Sequence, residues 1–199
     1  MNYSGTGCRL QSANALTAAA AAKLSILFVC AGNVCRSPAG QGVMEYFVAR
    51  RGLKSQVKVD SAGILDDCVG AKAAWRMRLA AFLRGYRVHG RARMINRLDL
   101  DRFDLVIAMD RQVQRELQRL HSRPSCQLSL LSEFLPDDAP PDVPDPINKP
   151  LKTFHVVLDM IEQACPAILD ILQLHLQSPF LDYPYDLASS VSFDGTRAI

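Results

Sequence analysis

One stretch constrains this chain more than any other. The apolar run Leu24-Ser25-Ile26-Leu27-Phe28-Val29 leads directly into Cys30-Ala31-Gly32-Asn33-Val34-Cys35-Arg36-Ser37-Pro38. A short apolar, partly β-branched run reads as a buried strand. Gly32 and Asn33 tolerate positive φ best, so a tight loop can follow. Ser37 suits a helix N-cap and Pro38 the first helical position. The expectation is strand, loop, helix start. Such a unit aims backbone N–H groups and the positive end of a helix dipole at the space above the loop, where an oxyanion fits. A thiolate at Cys30 and a guanidinium at Arg36 then face each other across it.

These residue types suit phosphoryl chemistry. A thiol is mostly protonated at neutral pH; N–H donors, a helix N-terminus and a nearby Arg all favour the thiolate. Arg36 offers a planar fork to two phosphoryl oxygens at once. Ala31, Gly32, Asn33, Val34, Cys35 and Ser37 complete the phosphate loop, which meets the charge on the equatorial oxygens. The arrangement implies in-line attack by Cys30, a phosphocysteine intermediate and its hydrolysis. The leaving oxygen needs a proton, and Asp145, in Asp142-Val143-Pro144-Asp145-Pro146, is the candidate donor. Flanking prolines restrict that backbone. Asp137, Asp138 and Asp142 stand nearby, so the choice of carboxylate stays open at this point.

The ten residues Val29 to Pro38, with the distant pair Asp145-Pro146, resemble the markers of the low-molecular-weight protein tyrosine phosphatases. Asp60-Ser61-Ala62-Gly63 and Ala108-Met109-Asp110 look like two further segments of that family. The resemblance covers roughly residues 24 to 176. It implies Cys30 as nucleophile, Arg36 as phosphate binder and Asp145 as general acid. It implies that Ser37 donates a hydrogen bond to the thiolate, and that Asn33 and Ser61 belong to a network holding the loop. It also implies a redox pair in which Cys35 captures oxidised Cys30, and a four-stranded sheet of order 2-1-3-4.

The chain departs from the family at the cleft walls. An aromatic residue usually follows the Ser-Ala-Gly segment, where Asp67 falls here. A Tyr pair often follows Asp-Pro, where Ile147 and Asn148 stand. Loss of a ring-stacking partner weakens aryl binding by about 0.5–1.5 kcal/mol and leaves the chemistry. Phe134 is a nearby substitute. Val34 matches the apolar residue of the tyrosine phosphatases, whereas related protein arginine phosphatases carry Thr. Four readings therefore compete. They are a phosphatase for phosphotyrosine or related aryl monoesters, a protein arginine phosphatase, a thiol-dependent arsenate reductase of the same fold, and a non-catalytic phosphoprotein-binding module. The reductase needs two further redox cysteines close together, and Cys68 and Cys126 are the ones available.

Composition bounds the rest. A chain of 199 residues, 49% apolar, is long enough to bury one substantial core. Its six cysteines, at 8, 30, 35, 68, 126 and 165, show neither small-scaffold spacing nor a zinc pattern. The four histidines are scattered, so neither metal nor cofactor is expected. A catalytic thiolate needs a reducing compartment, which points to the cytoplasm. No apolar segment reaches membrane-spanning length, and Lys23 interrupts the faint signal-like run at 15 to 30. The partner expected is a phosphorylated protein or aryl phosphate, with no membrane and no nucleic acid; the oligomeric state is left open. Residues 1 to 100 hold 15 Lys/Arg against 5 Asp/Glu, much of the excess lying between Arg76 and Arg97. This run reads as a solvated helix face and loop. A patch recruiting acidic phosphoproteins is the functional alternative. Nucleic-acid binding ranks below both, on the expectation that no aromatic platforms interleave with the arginines.

Residues 1–22 are expected to be a disordered N-terminal extension, 23–177 the phosphatase domain and 178–199 a C-terminal tail. Strands are expected at 24–30, 57–61, 103–108 and 127–131. Helices are expected at 37–51, 71–84, 111–121 and 152–176, the last interrupted at Pro166. Alternation of the two argues an α/β three-layer sandwich: a four-stranded parallel sheet with helices on both faces.

Overall fold

The computed structural model describes residues 24–177; the expected N-terminal extension and C-terminal tail lie outside the described residues. The elements are β1 (Leu24–Cys30), α1 (Arg36–Arg50), β2 (Val57–Gly63), α2 (Trp75–Leu83), α3 (Asp99–Arg102), β3 (Leu105–Ala108), α4 (Arg111–Leu120), β4 (Gln127–Leu130) and α5 (Leu151–Gln177), with a 3₁₀ turn at Leu131–Phe134. The sheet is parallel with order β2-β1-β3-β4. The α/β expectation and the strand order both hold.

β1 occupies the middle of the sheet because it is apolar on both faces. Ile26, Phe28 and Cys30 point to one side and join Val43, Met44, Met77, Leu158 and Ile161 from α1, α2 and α5. Leu27 and Val29 point to the other and meet Leu100, Phe103, Val113 and Leu117. Period-two alternation thus divides one strand between two cores. The register pairs Val29 with Ala108 and Cys30 with Gly63, so β1, β2 and β3 end at one level. The loop after β1 opens above that level, at the carboxyl ends of the strands, where open α/β sheets place their ligands.

Several boundaries differ from expectation. α1 starts at Arg36 with Cys35 in the N-cap position and no side-chain cap, and Pro38 falls third in the helix. Ser37 is not the cap; its hydroxyl is committed to Asn33, Cys30 and Ala62. α2 starts at Trp75 rather than Ala71, because the Ala74 N–H donates to the Val34 carbonyl and Lys72 bridges to Arg91. The short α3 takes residues before β3, which shortens that strand. α5 runs unbroken through Pro166, held by burial of Ala164, Cys165, Ile168 and Leu169. Among the described residues no helix is long and apolar enough to cross a membrane.

Candidate active site

The loop from Cys30 to Arg36 is shaped by bonds on its outer side. Ile64, Leu65 and Ala74 donate their N–H groups to the carbonyls of Cys30, Ala31 and Val34 at 3.1, 3.0 and 2.8 Å. With carbonyls drawn outward, the loop amides are left to face the opposite way, the geometry of an anion nest. Asn33 takes the positive φ, +52°, that the turn requires. Its side chain spans the loop: Nδ2 donates to Ser37 Oγ at 2.9 Å, and Oδ1 accepts the Arg93 N–H at 2.9 Å. Gly63, the last residue of β2, lies directly beneath. A Cβ there would stand 2.6 Å from the Ala31 oxygen and 2.8 Å from the Asn33 nitrogen.

Cys30 Sγ lies 3.0 Å from Ser37 Oγ, and both are buried. Ser37 has one proton to give. Since it already accepts from Asn33, that proton goes either to the Ala62 carbonyl at 3.1 Å or to the sulfur. A thiolate at Cys30 can only accept, so it draws the hydroxyl proton to itself. Val34 packs against the first core. Cys35 is buried at the base of the loop, and burial, with the charges of Cys30 and Asp145, pushes its thiol up to about 12. It therefore stays protonated. Cys68 also reaches the loop: its Sγ stands 3.2 Å from where a Gly32 Cβ would be.

Arg36 is buried and gripped from two sides. Nη1 donates to Asp110 Oδ2 at 2.6 Å and to the Val143 carbonyl at 3.1 Å, while Nη2 donates to Asp145 Oδ2 at 2.9 Å. Asp110 is itself fixed, because its Oδ1 caps α4 by accepting the Val113 N–H at 2.7 Å. Asp145 Oδ1 accepts the Ile147 N–H at 3.0 Å, which turns the half-exposed carboxylate toward the loop. Asp142 is engaged elsewhere. Arg111 clamps it through Nε and Nη2 at 3.0 and 2.7 Å, and this pairing holds its carboxyl below the usual range. Asp137 and Asp138 are exposed on the preceding loop. A cavity of about 500 Å³, bordered by Ala31, Arg36, Leu65, Asp110 and Asp145, opens at this point.

The structure thus brings Cys30, Arg36, Ser37, Asn33 and Asp145 together. Ser61 sits at the end of β2, but its hydroxyl donates to Gln41 at 2.8 Å, on α1. Phe134 packs against the first core and does not wall the cleft. Asp110 was seen in the sequence only as part of a segment; its place as the second anchor of Arg36 was missed. An Asp between an apolar strand and a strongly amphipathic helix signals a cap, and nothing local reveals its other oxygen's partner. Cys126 precedes β4, at the end of the sheet opposite Cys30, so it cannot pair with Cys68. Among the described residues there is no group of three or more His, Cys, Asp or Glu able to hold a metal ion.

The arrangement is found in known proteins. A family model described as low molecular weight phosphotyrosine protein phosphatase matches residues 25–178. The low molecular weight protein-tyrosine-phosphatase YfkJ of Bacillus subtilis is 31% identical over 156 residues, covering 77% of this chain and 99% of its own. The crystal structure of a protein tyrosine phosphatase from Entamoeba histolytica, with Hepes in its active site, superposes with a TM-score of 0.71. It is 32% identical and covers 76% of this chain and 98% of that one. A structure titled Drosophila arginine phosphatase superposes at 0.70, with 28% identity and coverage of 74% and 97%. The family model spans most of the chain, and the chain belongs to the low molecular weight phosphotyrosine protein phosphatase family.

Proposed function

We propose that this protein is a cysteine-dependent phosphatase acting on phosphotyrosine or related aryl phosphate monoesters. The observation that carries the reading is the buried Cys30–Ser37 contact at 3.0 Å on the loop that also carries the buried Arg36. Cys30 attacks phosphorus in line, the P–O bond to the leaving group breaks, and a phosphocysteine forms. The incoming phosphoryl oxygens take over Arg36 from Asp145; the freed carboxylate takes up the proton of the phosphate monoanion or of water and delivers it to the leaving oxygen. Asp145 then accepts a proton from the water that hydrolyses the intermediate. Asp110 keeps the guanidinium in plane throughout. Asp145 is favoured over Asp142 because the latter is clamped by Arg111.

Cys35 serves as the redox partner of Cys30, and the cytoplasm, where thiols stay reduced, is the compartment that suits both. The substrate is a phosphorylated protein, and Val34, without a hydroxyl, supports an aryl ester over phosphoarginine. Turnover of para-nitrophenyl phosphate with inhibition by vanadate tests the chemistry. Peptides bearing phosphotyrosine, phosphoserine or phosphoarginine test the class. Faster turnover of phosphoarginine than of phosphotyrosine would overturn the aryl assignment, and wild-type rates in Cys30→Ser would overturn the mechanism.

A further inference from the structure

Asp67, Ile147 and Asn148 bring no aromatic ring to the phosphate loop, yet a large apolar surface with two exposed rings stands on the helix joined to that loop. Along α2, Trp75, Leu79, Phe82 and Leu83 are 66%, 42%, 73% and 67% exposed. Their spacing of four, seven and eight residues places them along one side of the helix. Single exposed apolar residues need no explanation, but a contiguous row does. Between them stand Arg76 and Arg78, with Arg87 just beyond. None of the three is in an ion pair among the described residues. The expectation that no aromatic groups interleave with this arginine run is therefore wrong: Phe82 and Tyr86 do, and the Arg76 guanidinium lies 5.4 Å over the ring of Trp75, which precedes the run. A groove of about 340 Å³ runs between Trp75, Arg78, Phe82, Tyr86 and Arg87.

This face is joined to the active site. Ala74, the residue before α2, donates to the Val34 carbonyl of the phosphate loop at 2.8 Å. Arg76 Nη1 reaches the Lys149 carbonyl at 3.4 Å, four residues after Asp145. The N-terminus of α2 is thus tied to the phosphate loop and to the segment after Asp145, and the row extends for about 12 Å along the helix. An extended peptide covers that span in about four residues.

We infer that α2 is the docking surface for the polypeptide flanking the phosphotyrosine, and that it selects flanks carrying acidic and large apolar residues. The inference rests on the phosphatase reading and names its substrate class. Continuity with the phosphate loop favours a substrate over an unrelated partner. Three arginines with no carboxylate partner among the described residues favour acidic residues in it. A second copy of this chain is disfavoured, because two such faces placed together would oppose Arg78 and Arg87 to like charges. The apolar row supplies ring contacts that Asp67, Ile147 and Asn148 do not.

The test compares three substrates: a phosphotyrosyl peptide flanked by Asp, Leu and Phe, one flanked by Gly and Ser, and para-nitrophenyl phosphate. Arg78→Glu and the double variant Phe82→Ser/Leu83→Ser are assayed with each. The expected result is a KM about tenfold higher for the acidic-apolar peptide, with kcat unchanged and the other two substrates unaffected. Trp75 is the only tryptophan in the chain, so its emission reports docking independently of catalysis. Titration with the unphosphorylated acidic-apolar peptide should blue-shift it saturably in the wild type and not in Arg78→Glu. If none of the three substrates is hydrolysed, the phosphatase reading fails and the emission still decides the docking. Equal KM values for the two peptides with no emission change would overturn it. So would a wild-type dimer whose dissociation in the variants leaves KM unaltered, or saturation of the emission change by a single-stranded oligonucleotide and not by the peptide.

Discussion

Asp145 and Asp110 hold the two arms of one guanidinium, with Arg36 Nη2 to Asp145 at 2.9 Å and Nη1 to Asp110 at 2.6 Å. The two carboxylates differ in what else they do. Asp110 is anchored by a helix cap, whereas Asp145 is half exposed and held by a single backbone N–H. In the proposed mechanism the anchored one positions Arg36 and the half-exposed one transfers protons. Asp145→Asn is therefore expected to slow phenyl phosphate by ~10²–10⁴ and para-nitrophenyl phosphate far less, because an activated leaving group needs little protonation. Leaving-group dependence measured in both Asp145→Asn and Asp142→Asn checks the choice; if the pattern appears in Asp142→Asn instead, the wrong carboxylate has been named.

Asp110→Asn should separate positioning from chemistry. Loss of its charge loosens Arg36, so KM for phosphate esters rises while the leaving-group pattern stays that of the wild type. Since Asn still caps α4, thermal stability should change little; Asp110→Ala should cost a further ~0.5–2 kcal/mol. Arg36→Lys is expected to be severe, about 10²-fold or more in kcat/KM, as a point charge cannot replace a planar fork held on both sides.

Ser37→Ala removes the hydroxyl proton that a Cys30 thiolate draws on. The rate at which iodoacetate alkylates Cys30 at neutral pH should fall, and kcat should fall with it. An unchanged alkylation profile would show that the Ala62 carbonyl keeps that proton throughout.

Burial of thiols makes the fold sensitive to alkali. Cys35 is raised from 9.0 to about 12 and Cys126 from 9.0 to about 11. Each folded-state value lies above its unfolded value, so the stabilisation is complete below about pH 9 and is lost as pH rises through 11 to 12. Denaturant midpoints in reducing buffer should fall over that window, and the fall should be shallower in Cys35→Ala/Cys126→Ala.

Peroxide should convert the Cys30 thiolate to a sulfenic acid, and a neighbouring thiol should then displace water to form a disulfide. Cys35, held protonated, attacks slowly. Cys68 stands against the same loop at Gly32. Recovery by dithiothreitol is expected to be full in the wild type, partial in Cys35→Ala and lost in Cys35→Ala/Cys68→Ala. Full recovery in the double variant, with no Cys30-linked peptide by mass spectrometry, would refute it.

Much of this site was legible because its signals are local. β1, the loop and α1 follow one another in the sequence, and an apolar run, an Asn able to take positive φ and a Pro near a helix start mark each junction. Ser37 shows where local reading stops. A Ser before Pro reads as a cap, but the same hydroxyl can bond a thiolate, and only the fold decides between them. The start of α2 was misplaced for a similar reason: Ala71 to Ala74 favour helix, yet Val34, some forty residues earlier, takes the Ala74 N–H. Asp110 on Arg36 spans 74 residues of chain, and no pattern in either segment announces the other.

Gly63 contributes no functional group, yet a Cβ on it would collide with the backbone on which Cys30 and Arg36 are mounted. The clearance between β2 and the loop is fixed by an absent side chain. Gly63→Ala would therefore behave in an activity assay like a catalytic lesion while every reactive group remained in place. Redesign of this enzyme for other phosphate esters has freedom at the rim and none at the floor: the width of the cleft is open to change, and its depth is not.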